Sequence, residues 1–206
     1  MKKRIITIAR QFGSGGHTIG QETARRLDVP FYDRNLISKI ADESGYDQDF
    51  IQSMDEAETM AKSRLAQFLM GRDLKGNSIS DYVFEAQKRV IQNIAEEGPC
   101  VIVGRCSDQI LHDREDVLTV FIYADLEKRE ERILRRYGAT DVPVEKRIEE
   151  KDGRRAAHYR FYTGHEWGAT ENYDLCLNSS GLSVELCVDL LTAIFNGTVP
   201  TIGKGI

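Results

Sequence analysis

Apolar residues in this chain follow two rhythms. Five short runs are apolar almost without interruption: IITIA (5–9), VPFY (29–32), CVIV (100–103), VLTVFIYA (117–124) and YDLCLN (173–178). Strands buried on both faces carry such runs, because neither side of the pleat meets water. Between them the apolar positions recur at helical spacing. TIGQETARRL follows the first run, LISKIADESG the second and EKREERILRRYG the fourth. SISDYVFEAQKRVIQNIAEEG predicts a long amphipathic helix with Tyr82, Val83, Ala86, Val90, Ile91 and Ile94 on one side. The last element, SVELCVDLLTAIF (183–195), opens with Ser183 as its cap and Glu185 close behind.

Strand–helix alternation of this kind predicts an α/β fold, a parallel sheet with helices on both faces. Function in such folds gathers at the carboxyl ends of the strands. The positions that matter are then Arg10 to Thr18, Asp33 and Arg34, Gly104 to Asp108, and Asn178 to Ser180. Residues 45–97 hold no strand candidate, which implies a helical insertion between the second and third strands. There is no internal repeat and no low-complexity tract, and the tail GTVPTIGKGI is expected to fray.

Composition narrows the picture further. A chain of 206 residues suits one domain with an inserted lid. A net charge of −5 argues against the whole molecule being a partner for nucleic acid. No apolar run approaches the ~20 residues of a membrane span. The opening MKKRIITIAR has too short an apolar run for a signal-peptide core and reads as a first strand with a basic lead-in. Cys100, Cys106, Cys176 and Cys187 form no CxxC pair, so buried reduced thiols and a cytoplasmic location are expected. The four histidines have no metal-like spacing to them.

Four stretches carry candidate chemistry. After the first strand, Gly13, Ser14, Gly15 and Gly16 form a turn before a helix, with Thr18 placed to meet a phosphate oxygen. Glycines there let backbone N–H groups face an anion at the helix N-terminus, but the same residues also suit a plain left-handed turn. The GxxxxGK[ST] pattern is not met, since Arg10 stands at its first glycine and Gly16 at its lysine. In FYDRNLI, Asp33 and Arg34 read either as a substrate contact or as a helix cap with a surface arginine. In VIVGRCSD, Arg105 follows a buried strand, as a cleft ligand or an ion-paired turn residue. Residues 127–160 hold Arg129, Arg132, Arg135, Arg136, Arg147, Arg154, Arg155 and Arg160 against eight acids. That balance fits a phosphate-closing lid or a pair of ion-paired helices.

Taken together, ARQFGSGGHTIG, FYDRNLI, EEGPCVIVGRCSDQIL, VFIYADLEKREERI, EKRIEEKDGRRAAHYRFYTG and ENYDLCLNSSGLSVE resemble the nucleoside monophosphate kinases, specifically the cytidylate kinase-like branch. The resemblance spans nearly the whole chain and is weakest over 45–80. It implies a P-loop fold with a five-stranded parallel sheet flanked by helices, a helical NMP-binding insertion and an arginine-bearing lid. The boundaries expected are a core of 1–35, 98–126 and 171–197, an insertion over 36–97, a lid over 127–170 and a flexible tail over 198–206. It implies ATP as donor, Mg²⁺ bound through the ATP phosphates near Thr18, and a small nucleotide such as CMP or dCMP as acceptor. Carried over by position, Gly13, Ser14, Gly15, Gly16, His17 and Thr18 would hold the donor. Asp33, Arg34, Arg105 and Asp108 would face the acceptor, and Arg154 and Arg160 would neutralise charge during transfer. Catalysis of that kind is positioning plus electrostatics.

Three departures stand out. Gly16 replaces the loop lysine, which makes Arg10 or His17 the candidate substitute. Arg10 replaces the first loop glycine. Cys106 replaces the acid that follows GR in cytidylate kinases, with Asp108 two residues on as its stand-in. The lid also reads AAHYR where the better-known enzymes carry another arginine near His158. These departures leave two alternatives: a nucleotide-binding sensor without transfer activity, and a kinase of a non-nucleotide metabolite. Oligomeric state is not readable from these patterns.

Overall fold

The computed structural model describes residues 3–33, 36–49 and 79–198. Much of the 36–97 insertion, Arg34 and the tail from 199 lie outside the described residues. Five strands, β1 (Ile5–Arg10), β2 (Phe31–Tyr32), β3 (Cys100–Val103), β4 (Val117–Tyr123) and β5 (Leu175–Asn178), form one parallel sheet in the order β2-β3-β1-β4-β5. The central β1 pairs along both edges, Ile5 opposite Cys100 on one side and Val117 on the other. That position explains its unbroken apolar run, in which Ile5, Ile6 and Ile8 are fully buried.

The described helices are α1 (Gly16–Leu27), α2 (Leu36–Ser44), α3 (Ile79–Glu97), α4 (Ser107–Ile110), α5 (Leu126–Tyr137), α6 (Val144–Thr163) and α7 (Val184–Asn196). The pleat sends alternate β1 residues to opposite faces. Ile5 joins Leu36, Ile40, Ile91 and Ile94 from α2 and α3, while Ile6 and Ile8 join Ile19, Val188 and Leu191 from α1 and α7. The anticipated Ser183 cap is present, its hydroxyl accepting from the Leu186 N–H at 3.1 Å.

Two strands are shorter than their apolar runs. In VPFY, the Val29 N–H closes the end of α1 on the Ala24 carbonyl and Pro30 has no N–H to give, so β2 begins at Phe31. In YDLCLN, Asp174 binds the neighbouring strand through its carboxylate, which accepts from the Thr119 N–H at 2.9 Å, so β5 begins at Leu175. The short α4 was not anticipated. It follows a turn in which Gly104, Arg105 and Cys106 all adopt left-handed φ. All four cysteines are free; Cys100, Cys106 and Cys187 are buried and Cys176 partly so. Burial pushes the Cys100 thiol up to about 12, which keeps it protonated and unreactive.

Candidate active site

The turn between β1 and α1 sits at the carboxyl end of the central strand. Gly13 and Gly15 both take φ of +80°, in the left-handed region. At Gly13 a Cβ would also meet the Arg129 carbonyl oxygen at 2.8 Å. Around Gly15 the space is open, with Arg132 Nη1 at 3.9 Å from a would-be Cβ. Ser14 is buried and its hydroxyl donates to the Gln11 carbonyl at 2.9 Å. Gly16 begins α1, whose first turn presents N–H groups without intrahelical partners. Thr18 is exposed on that turn, its hydroxyl 3.4 Å from Arg136 Nη1. A strand, two left-handed glycines and a twelve-residue helix give this turn a geometry that could receive an anion at the helix N-terminus.

Position 16 has no room for a side chain. A Cβ there would stand 2.5 Å from the Cβ of Arg10 and 3.0 Å from its Cγ. The Arg10 guanidinium continues to Gly104, where any side chain would run into Nη1, and reaches Asp33 Oδ1 at 3.3 Å. His17 Nε2 lies 3.2 Å from the other oxygen, Asp33 Oδ2. Both candidates for the missing cation therefore converge on one carboxylate just beyond β2. The Asp33 side chain is only 14 % exposed, so the Arg10 pair is screened less than a surface pair. The Asp33 carboxylate thus faces two basic side chains at the carboxyl end of β2.

The arginine-rich stretch divides by helix face. On α5, Arg129 and Ile133 are buried, and Arg132 and Arg136 share their side. Arg129 Nε donates to the Phe12 carbonyl at 2.7 Å, and Arg132 donates to the Ser14 carbonyl at 3.2 Å and to the Ser179 carbonyl and hydroxyl. On α6, the inward positions are Ile148, Asp152, Arg155 and Tyr159. Arg155 donates to the Arg10 carbonyl at 3.0 Å, and Asp152 accepts from the Phe12 N–H at 2.8 Å. Arg154 is half-buried on the neighbouring face with His158 and Tyr162, and its Nε donates to the Glu150 carbonyl of its own helix. Arg160 is on the exposed face with Gly153, Ala157 and Gly164. Arg129, Arg132 and Arg155 thus bond to carbonyls of the loop, and Arg136 reaches Thr18 at its end. Their spacing around the apolar Ile133 and Ile148 was the available signal, and the matched acids concealed it.

On the other side of Arg10, the turn after β3 carries Arg105, half-buried at φ +63°, with its carbonyl taking a 3.0 Å bond from the buried Gln87 amide. Arg105 thus adopts a conformation that costs a non-glycine residue roughly 1–2 kcal/mol. Asp108 is buried, and one carboxylate oxygen accepts from the Tyr159 hydroxyl at 2.7 Å. Burial pushes the Asp108 carboxyl above its usual range, against the pull of Tyr159 and nearby backbone N–H groups. Burial likewise pushes the Tyr159 and Tyr173 hydroxyls up. Next to this pair, Phe84 of α3 stacks on Tyr162 of α6 with ring centroids 3.9 Å apart, and His158 packs edge-on to Phe84. The insertion helix and α6 are clasped together at that point.

The Asp108 environment yields a pH signature. A carboxyl whose folded pKa is raised binds its proton more tightly when folded, so stability falls as pH rises from its ordinary value of 3.8 through the folded value. Asp108→Asn keeps an acceptor for Tyr159 and removes the titration. The variant is expected to match the parent in Tm near pH 3.5 and exceed it at neutral pH. Equal Tm values at both pH values would mean that Asp108 carries no buried charge.

The glycine cradle, the strand order and the placement of the arginines agree with one family. The model of the cytidylate kinase-like family matches residues 5–181. The chain belongs to that family. Among solved structures, an uncharacterised protein from Eubacterium ventriosum is similar at 24% identity and a TM-score of 0.69, over 94% of this chain and 98% of that one. The shikimate kinase of Bacteroides thetaiotaomicron is similar at 16% identity and a TM-score of 0.54, over 92% and 97%. The shikimate kinase of Acinetobacter baumannii, solved with shikimate, gives 14% and 0.52 over 96% of each chain. Identities this low establish a shared kinase fold and nothing finer. No curated protein matches the chain. Among the described residues, no helix is long and apolar enough to cross a membrane.

Proposed function

We propose that this member of the cytidylate kinase-like family transfers phosphate from ATP to a nucleoside monophosphate, with CMP or dCMP the leading acceptor. The observation that carries this reading is the Gly13–Gly15 cradle at the N-terminus of α1, bordered by Arg132 and Arg136. Gly13, Ser14, Gly15, Gly16, His17 and Thr18 would hold the donor phosphates. A groove of about 420 Å³ beside Arg132, lined by Lys128, Arg135 and the 179–184 loop, offers room for the rest of the donor. The described residues contain no cluster of three metal-ligating side chains. Mg²⁺ would be held through the donor phosphates, with the Thr18 hydroxyl nearby, and would offset phosphate charge there. Arg10 takes the place of the lysine, its stem filling the space at position 16 and its guanidinium held between Gly104 and Asp33. Arg105 and Arg34 remain the proposed acceptor contacts, and Arg154 is better placed than Arg160 to neutralise charge near the acceptor.

One observation favours a second reading, a kinase of a non-nucleotide, hydroxyl-bearing metabolite. Asp108, the stand-in for the acid that follows GR, is buried and held by Tyr159, so it is not free to select cytosine. Measuring ADP formation from ATP and Mg²⁺ with CMP, dCMP, UMP and AMP separates the readings. Turnover with CMP or dCMP, falling about 100-fold in Arg10→Ala, is the expected result. Tight ATP binding with no transfer to any of the four would point instead to the second reading or to a sensor. An unchanged rate in Arg10→Ala would remove Arg10 from its role.

A further inference from the structure

Three alternate carbonyls of the 10–14 segment are each taken by an arginine from α5 or α6. Arg155 takes the carbonyl of residue 10, Arg129 that of residue 12 and Arg132 that of residue 14. The loop is therefore hung from these two helices, and the carbonyls of residues 10, 12 and 14 are each engaged by an arginine donor. That arrangement matters electrostatically, because a phosphate is repelled by carbonyl oxygens and attracted by N–H groups. One side chain ties the arrangement together. The Asp152 carboxylate accepts from the Phe12 N–H at 2.8 Å, from Arg155 Nη1 at 3.1 Å and from Arg129 Nη2. It is 15 % exposed, and both of its arginine partners are the ones that hold loop carbonyls.

We propose that Asp152 is a positioning residue for the phosphate loop. By fixing Arg129, Arg155 and the Phe12 amide at once, it holds the 10–14 backbone in the anion-accepting shape without touching the nucleotide. Its consequence for donor affinity rests on the kinase reading above; its effect on loop shape does not. The α5–α6 pair is on this view a frame for the loop rather than a flap whose arginines wait free.

The test uses the full chain with Asp152→Ala and Asp152→Asn. Hydrogen exchange in peptides covering 9–16 is expected to speed up by roughly tenfold or more in Asp152→Ala, while peptides from α7 keep the parental rate. Asp152→Asn can still accept from the Phe12 N–H but cannot balance two arginines, so an intermediate rate is expected. Calorimetry should show ATP affinity about tenfold weaker in Asp152→Ala, with CMP affinity within about twofold of the parent. Unchanged exchange over 9–16 in both variants would overturn the proposal. So would equal acceleration in 9–16 and α7, which is the mark of general destabilisation. Absence of ATP binding by the parent protein would sink the kinase reading, and the exchange result would still decide the role of Asp152.

Discussion

Placing a lysine at position 16, the residue that ordinary cytidylate kinases carry there, is expected to damage this protein rather than improve it. The reason is local and rigid. A Cβ at 16 would stand 2.5 Å from the Cβ of Arg10, and that atom is fixed by the β1 backbone rather than carried on a rotatable stem. Relief requires a shift of strand or helix against Ile122 and the core beneath. Overpacking of this kind costs about 3 kcal/mol. In a chain of this size that corresponds to a Tm lower by roughly 6–12 °C. ATP affinity should fall with it, because the first turn of α1 supplies half of the cradle. A Gly16→Lys protein with parental Tm and tighter ATP binding would show that Arg10 moves aside freely, and that the loop has simply lost a lysine.

The sheet was legible because its central strands are buried on both faces, so their apolar runs have only one physical interpretation. The Ser183 cap and the α3 face of Val83, Ala86, Val90, Ile91 and Ile94 were legible for the same kind of local reason, whereas Tyr82, expected on that face, is exposed. Strand ends were less so, since Val29 and Asp174 make their bonds to a helix end and through a side chain. At the site, sequence spacing located the glycines, Asp33 and Arg105, each at the end of its strand. It could not show that Arg10 and Gly16 are a fitted pair, because that depends on a contact between two elements. Nor could it choose among eight arginines. Arg154 and Arg160 looked equivalent to Arg155 along the chain, and only the rotation of α6, set by the burial of Ile148 and Tyr159, turns Arg155 to the loop. Asp108 reads along the chain as a stand-in for the missing acid facing the acceptor, whereas after three left-handed residues its buried carboxylate accepts from Tyr159.

Supplying the lysine while removing the stem of Arg10 is expected to reverse much of the damage. Arg10→Gly with Gly16→Lys makes residues 10–16 read GQFGSGK, and it removes both atoms that crowd position 16. Arg10→Gly alone is expected to cost about 1–3 kcal/mol, because Asp33 loses a half-buried partner and β1 gains a glycine. In the double variant a lysine ammonium replaces the lost charge, so the two changes should not add. A double-mutant cycle on Tm-derived stability is expected to give a coupling of at least about 2 kcal/mol in the favourable direction. Arg10→Ala with Gly16→Lys is the sharper control. Alanine keeps the Cβ that stands 2.5 Å from a side chain at 16, so this pair should remain as unstable as Gly16→Lys alone. ATP affinity measured on the same proteins should recover in the glycine pair and stay weak in the alanine pair. Recovery in both pairs would mean that the crowding comes from the guanidinium rather than the Cβ. Additivity within about 0.5 kcal/mol in the glycine cycle would show that Arg10 and Gly16 are independent positions, and the account of how this loop dispenses with its lysine would fail.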